Sequence, residues 1–167
     1  MAFTIHELNT YLQTKIKDLS GAWINKNSGY EQSVCDKLGF TCQTSRYWDC
    51  IYNGLYIEIK KGKSIWLDEI RYAEQLLYQI STSDSSPSDI KFQKTITIFL
   101  IPNKDKSLIT NIYVIDTEKL IKFMNITPEW ATTLLARRKD IKRCLNCQQS
   151  MTVKDLAQIA DYVVGVK

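Results

Sequence analysis

An Asn-Gly pair inside an alternating stretch constrains the fold of this chain more than any other short feature of the sequence. Asn53 and Gly54 lie between two runs in which apolar and polar residues alternate, and such a pair is the strongest short signal of a two-residue β-hairpin loop. If Asn53 and Gly54 form the loop, Tyr52 pairs with Leu55, and the register of a hairpin over about 46–60 follows by counting outward. The sequence therefore predicts two antiparallel strands whose facing residues can be named.

This register brings charged residues together on one face of the hairpin. Asp49 is predicted to lie directly opposite Glu58, with Lys60 on the same face. Facing side chains have Cβ atoms roughly 4.5–5.5 Å apart, and like charges at that spacing are destabilising. A divalent cation between the two carboxylates would remove the penalty, and hard oxygen ligands suit Mg²⁺. The opposite face is predicted to be apolar and to face a core, and it carries Trp48, Cys50, Tyr52, Leu55, Ile57 and Ile59.

The composition is that of a folded globular protein. A length of 167 residues allows one domain with its own core, and 44% hydrophobic with 24% charged residues argues against disorder. The net charge of +4 permits a polyanionic partner without requiring one. No apolar run is long enough to cross a bilayer, and the N-terminus is typical of an amphipathic helix rather than a signal peptide, so we expect no membrane partner.

The five cysteines are an odd number, which favours a reducing intracellular compartment over a disulfide framework. We therefore expect a cytoplasmic location, with the nucleus as the other compartment of this kind. Cys144 and Cys147 form a Cys-x-x-Cys motif, which becomes a zinc site only if the fold adds a second ligand pair such as Cys42 and Cys50. Free thiols on a helix end and in the core are the favoured interpretation.

The remaining pattern predicts a mixed α/β (α+β) architecture, with a small mixed central sheet flanked by helices. We expect a single domain over 1–167, with a core over about 28–124 and a C-terminal helical region over about 128–163. The individual predictions are helices over 3–20, 29–38, 65–80 and 117–124, strands over 95–101 and 108–115, and a polar loop over 81–89.

An acidic residue on one strand, followed by Glu58-Ile59-Lys60 on the next, resembles the PD-(D/E)XK nuclease superfamily. Many type II restriction endonucleases, Holliday-junction resolvases and repair nucleases share this fold. The resemblance covers about residues 28–101 and implies a restriction endonuclease-like fold. The tripeptides Asp89-Ile90-Lys91 and Asp140-Ile141-Lys142 repeat the acid-x-Lys pattern, but neither has a second acid held across a turn, so the hairpin distinguishes the first motif.

The resemblance implies roles for five residues. Asp49 and Glu58 would bind the catalytic metal, Mg²⁺ with Mn²⁺ as a substitute, and the Ile59 carbonyl would be a further oxygen ligand. Lys60 would position or activate the attacking water. Glu31, on the preceding helix, is the position that matches an additional acidic residue of the family.

The function implied is that of a metal-dependent DNA endonuclease, most like a small type II restriction enzyme acting on double-stranded DNA as a homodimer. Basic residues could contact backbone phosphates; they are Lys61, Lys63, Arg137, Arg138, Lys139, Lys142 and Arg143. A charge run can equally be a solvated helix face, and the Glu58–Lys60 pair a solvated surface pair. Two alternative functions remain: a structure-specific nuclease of the junction-resolvase or repair type, and a catalytically silent nuclease-fold subunit that binds DNA.

Overall fold

A computed structural model gives the fold of residues 3–43, 45, 47–81, 94–136 and 148–165, with the side chains of 78–81 left out. The α-helices of this part of the chain are α1 Ile5–Lys15, α2 Tyr30–Leu38, α3 Glu69–Ser81, α4 Thr117–Phe123, α5 Pro128–Ala136 and α6 Val153–Ile159. The strands are β1 Thr41–Cys42, β2 Cys50–Tyr52, β3 Leu55–Lys61, β4 Ser64–Asp68, β5 Thr95–Pro102, β6 Ile109–Asp116, β7 Gln148–Thr152 and β8 Tyr162–Gly165. No helix among the described residues is long and apolar enough to span a membrane.

Six strands form the central sheet, in the order β1-β2-β3-β5-β6-β8. The pairing of β3 with β5 is parallel and the other neighbours are antiparallel. A separate two-stranded sheet pairs β4 with β7. The predicted α/β architecture, a mixed central sheet flanked by helices, is confirmed.

The central sheet separates two hydrophobic cores because successive strand residues point to opposite faces. On one face Ile57 and Ile59 of β3 pack with side chains of α1 and α2. On the other face Phe99 and Ile101 of β5 pack with side chains of α3, α4, α5 and α6. Every residue of β5 is buried, as expected for a strand that is covered on both faces.

The predicted hairpin register is confirmed at the turn. Tyr52 pairs with Leu55, and the next pairs outward are Ile51 with Tyr56 and Cys50 with Ile57. Asn53 and Gly54 have φ values of 47° and 80°, the positive values that a type I′ turn requires at both central residues. The predicted core face is confirmed where β2 and β3 pair; its members Cys50, Tyr52, Leu55, Ile57 and Ile59 all belong to, or pack against, the core under α1 and α2.

Several other predicted elements are confirmed. α2 ends at Gly39, which adopts the left-handed conformation with φ 69°, the usual glycine signal for a helix end. The predicted helix over 3–20 is α1 followed by a 3-10 turn at Ile16–Asp18. The strands β5 and β6 and the helix α4 lie within two residues of their predicted bounds.

The helix predicted over 65–80 is wrong in its first turn. Residues Ser64–Asp68 form β4 instead, and α3 begins at Glu69. Ile65 and Leu67 are buried whereas Trp66 is 62% exposed. This period of two is that of a half-buried strand, and pairing with β7 satisfies its backbone.

The prediction that 128–163 is mostly helical is also wrong in part. Strand β7 pairs with β4, and β8 pairs with β6 at the edge of the central sheet. Thr152 does begin a helix, because its hydroxyl caps α6 and Asp155 completes a capping box. That helix ends before β8. Most of the predicted loop 81–89, and residues 137–147, lie outside the described residues.

Candidate functional site

Asp49 immediately precedes the first residue of the short strand β2. The β2–β3 ladder ends at the pair Cys50–Ile57, and the Asp49 N–H donates to the Ile57 carbonyl over 2.9 Å. Oδ2 of Asp49 accepts a hydrogen bond of 2.7 Å from the Ile59 N–H. The carboxylate thus replaces a backbone acceptor at the edge of β3. The predicted Asp49–Glu58 ladder pair is not formed, because strand pairing stops one residue earlier.

The Ile59 carbonyl is directed toward the same edge of β3. In a β-strand the N–H and C=O of one residue point toward the same neighbouring strand, and the Ile59 N–H points at Asp49. The Ile59 side chain is buried in the core under α1 and α2. A main-chain oxygen and a carboxylate therefore lie on one edge of β3.

Glu58 is the buried charge of the site. It is 5% exposed, and its Oε1 lies 3.3 Å from Lys60 Nζ and 2.8 Å from Arg71 Nη2. Glu58 and Lys60 share a face of β3, as the alternation predicts. Arg71 comes from the first turn of α3 and was not predicted, because no sequence spacing relates α3 to β3.

The guanidinium of Arg71 makes further contacts in this site. Nη2 donates to the Tyr72 hydroxyl over 3.2 Å, and the guanidinium lies 5.0 Å from the Tyr72 ring centre. Nε of Arg71 is buried and has no hydrogen-bond partner in the described part of the chain. An acceptor oxygen from a ligand would satisfy this donor.

The two carboxylates influence each other although they are not ladder partners. Burial raises the pKa of Asp49 to about 7, and the negative charges of Glu58 and Glu31 act in the same direction. The Ile59 N–H and the Lys60 ammonium oppose this rise in the pKa. Asp49 therefore changes its charge near neutral pH, where a nearby cation would favour its ionised form.

Glu31 joins the site from α2. It lies in the first turn of that helix and, with Asp49, lines a cleft of about 250 Å³. The charges of Glu31, Glu58 and Lys60 all act on the pKa of Asp49, but Glu58 and Lys60 do not line this cleft. Asp49 and Glu31 line the cleft, whereas Glu58 and Lys60 form an ion pair on the β3 face that meets α3.

The segment before Asp49 departs from the predicted alternation. Trp48 was expected on the core face, but its ring packs against Tyr56 at a centroid distance of 4.8 Å, and its indole N–H donates to Gln43 Oε1. The Tyr47 hydroxyl donates to Glu74 Oε2 over 2.8 Å. The alternation fails here because β2 begins only at Cys50. These contacts instead anchor the chain that leads to Asp49.

The donors predicted for a metal are carboxylate and main-chain oxygens, the ligand type that Mg²⁺ takes. Within the described ranges, no three His, Cys, Asp or Glu side chains are grouped so that they could hold a metal ion. Glu58 is near enough for its charge to raise the pKa of Asp49, and Asp49 is bonded to the main chain of β3 at Ile59. Mg²⁺ is usually bound through one or two carboxylates, with substrate phosphates and waters completing its shell.

The predicted phosphate-binding and thiol residues have different surroundings. Lys61 Nζ donates to the Ile24 carbonyl over 2.7 Å and lies 4.8 Å from the Tyr30 ring centre, whereas Lys63 is exposed.

Cys42 and Cys50 are cross-strand partners and are free thiols. The other predicted residues lie outside the described residues; they are Arg137, Arg138, Lys139, Lys142, Arg143, Cys144 and Cys147.

Comparison of the chain with protein-family models and with curated proteins gives no match.

Proposed function

We propose that this protein is a metal-dependent endonuclease of the PD-(D/E)XK type that hydrolyses phosphodiester bonds in double-stranded DNA. The observation that carries the proposal is the placement of Asp49 against the backbone of β3, near enough to Glu58 for its charge to raise the pKa of Asp49, with the Lys60 ammonium 3.3 Å from the Glu58 carboxylate. The order α2, Asp49, β3, α3 and β5 agrees with the order that the resemblance implies. The buried mixed sheet supplies a rigid support for these side chains.

Each residue of the site has a chemical role in this proposal. Asp49, Glu58 and the Ile59 carbonyl would hold Mg²⁺, which supplies charge neutralisation at the phosphate and a water of lowered pKa. Lys60 orients the attacking water or stabilises the negative charge that develops on the phosphate. Glu31 extends the acidic rim of the cleft beside Asp49.

Arg71 is a positioning residue. Its charged hydrogen bond to Glu58 fixes the orientation of that carboxylate, and such bonds are stronger than neutral ones. Without Arg71, Lys60 would be the remaining ion-pair partner of Glu58 among the described residues. We therefore expect Arg71 to set how well Glu58 is placed for a cation.

The partners follow from the chemistry proposed. Cutting both strands of a duplex with one small catalytic unit calls for a homodimer with two-fold symmetry. Three free thiols among the described residues fit a reducing cytoplasmic location.

The test is incubation of the purified protein with supercoiled plasmid in Mg²⁺, and then in EDTA. We expect cleavage only with the metal, and a loss of at least about a hundredfold in Glu58→Gln and Lys60→Ala. Glu129→Gln and Lys37→Ala, which change exposed residues of the same types, should cleave like the wild type. Discrete fragments would indicate sequence-specific cutting and a smear nonspecific cutting.

Unchanged cleavage by Lys60→Ala would refute the role of this lysine. If the wild type binds DNA but never cuts plasmid or branched DNA with Mg²⁺ or Mn²⁺, the protein is a silent nuclease-fold subunit and the proposal is wrong. Cutting of branched DNA alone would identify a structure-specific nuclease.

A further inference from the structure

Four lysines surround a second cleft, where β3 and β5 end side by side. Its volume is about 410 Å³, and it is lined by Lys61 and Lys63 after β3 and by Lys104 and Lys106 after β5. None of the lining residues is acidic. Within the described ranges, Lys63, Lys104 and Lys106 form no ion pair. The cleft therefore concentrates positive charge that the described residues do not neutralise.

The loop that carries two of these lysines is held in one conformation. Oδ1 of Asn103 accepts hydrogen bonds from the N–H groups of Ser107 and Leu108 at 2.8 and 3.2 Å. The Lys106 N–H donates to the Asn103 carbonyl over 3.1 Å, which closes a turn around Lys104. A binding loop that is already ordered loses little entropy when its ligand arrives.

Lys61 forms the inner wall of the cleft. Its ammonium is fixed by the Ile24 carbonyl and the Tyr30 ring. Lys106 lines the same cleft as Lys61, so two ammonium groups are held near each other, and a bound anion would relieve their repulsion.

The lining indicates which part of a nucleic acid this cleft suits. Asn27, Ser64 and Asn103 add neutral polar groups, and no aromatic side chain lines the cleft. Base recognition in single strands relies on stacking against aromatic rings, whereas lysine, asparagine and serine are common contacts to phosphate. The cleft has the chemistry of backbone binding rather than base reading.

We propose that the cleft formed by Lys61, Lys63, Lys104 and Lys106 binds the sugar–phosphate backbone of duplex DNA, without reading its sequence. This inference takes its DNA partner from the proposed function but does not require hydrolysis. Tyr30 lies near both sites: its ring contacts Lys61, and the pKa of its hydroxyl is raised by burial and by the negative charges of Glu31, Asp49 and Glu58. DNA held in the cleft would therefore lie beside the acidic site.

The test measures binding of a fluorescent 20-base-pair duplex (about two helical turns) by anisotropy in EDTA, so that cleavage plays no part. The test variant is Lys63→Ala/Lys104→Ala/Lys106→Ala. The control, Lys37→Ala/Lys122→Ala/Lys154→Ala, removes the same charge from exposed positions on three helices. We expect the test variant to bind on the order of tenfold more weakly, with a salt slope reduced by about one for each lost contact. The control should bind within about twofold of the wild type.

Three results would overturn the inference: no binding by the wild type, equal weakening in both variants, or unchanged binding by the test variant. A parallel titration with inorganic phosphate distinguishes a small-anion site, because saturable phosphate binding without duplex binding would also overturn it. Plasmid cleavage is scored separately. Lysine-dependent binding without cleavage would refute the proposed nuclease activity alone, and cleavage with cleft-independent binding would refute this inference alone.

Discussion

Arg71 Nη2 lies 2.8 Å from Glu58 Oε1, in a pair whose side chains are 18% and 6% exposed. The same oxygen also faces the Lys60 ammonium at 3.3 Å. The proposed metal-binding carboxylate is therefore already neutralised by two cations from the protein. The carboxylate with the raised pKa is Asp49, whose Oδ2 is bonded to the backbone of β3. Glu58 is thus held by the side chains of Arg71 and Lys60, whereas Asp49 is held by the main chain of β3.

Removing the Arg71 guanidinium should destabilise the fold because it leaves Glu58 buried with a single cationic partner. We expect Arg71→Met to lower the free energy of unfolding by about 2–4 kcal/mol in urea titrations. The matched control is Lys119→Met, which removes the exposed lysine of the pair with Asp161 and should cost less than about 1 kcal/mol. Adding Glu58→Gln to Arg71→Met should recover part of the loss. Equal effects of the two single Met variants would contradict this prediction.

The raised pKa of Asp49 predicts a particular dependence of stability on pH. An aspartate of pKa 3.8 in the unfolded chain and about 7 in the folded one keeps more protons bound in the folded state between these values. The contribution of Asp49 to the free energy of unfolding therefore falls as the pH rises from about 4 to about 7, by at most about 4 kcal/mol.

Asp49→Asn should remove this pH dependence. Without divalent cations, the free energy of unfolding of the variant should increase relative to that of the wild type as the pH rises from 4 to 8. Below pH 4 the difference between the two proteins should no longer change with pH. Urea unfolding at several pH values measures the difference. Parallel pH profiles for both proteins would show that the pKa of Asp49 is not raised.

Divalent cations should stabilise the wild type at pH 8, where Asp49 is ionised. The test uses about 10 mM Mg²⁺. If this is about a hundred times the dissociation constant, binding adds roughly 2.7 kcal/mol to the free energy of unfolding, which is measurable as an increase in Tm. Asp49→Asn and Glu58→Gln should lose most of this increase, whereas Glu129→Gln should keep it. NaCl of matched ionic strength gives the background. An equal Mg²⁺-dependent increase in Tm for Asp49→Asn would show that the ion binds elsewhere.

A buried hydroxyl network should stabilise the junction of α3, β5 and α4. The Thr95 hydroxyl lies 2.7 Å from Thr117 Oγ1 and accepts from Gln75 over 2.7 Å, while Thr97 lies 2.9 Å from the same Thr117 oxygen. Thr117→Val would remove the acceptor of the buried Thr95 hydroxyl and the partner of the buried Thr97 hydroxyl, at a cost of about 1–3 kcal/mol. Thr41→Val, on the exposed strand β1, should change the free energy of unfolding by less than about 0.5 kcal/mol. An equally small effect of Thr117→Val would contradict the prediction.

Some of the missed elements had a signal in the sequence. Ser64–Asp68 alternates in burial, but its exposed central residue, Trp66, is apolar, so the sequence hides this period of two and its residues also fit the start of a helix. Residues Tyr162–Gly165 contain two consecutive β-branched residues. By contrast, Gln148–Thr152 is mostly polar and has little strand propensity, so pairing with β4 is what makes it a strand.

The sequence by itself determined the elements whose signals are local. Asn53 and Gly54 fix the hairpin register because only a few residues accept positive φ values, and alternation then places Glu58 and Lys60 on one face of β3. Only the tertiary structure decided that Asp49 bonds to the backbone of β3 and that Arg71 reaches Glu58. Those contacts depend on where β2 begins and on how α3 packs against the sheet. Burial and packing between distant segments, rather than neighbours along the chain, set both.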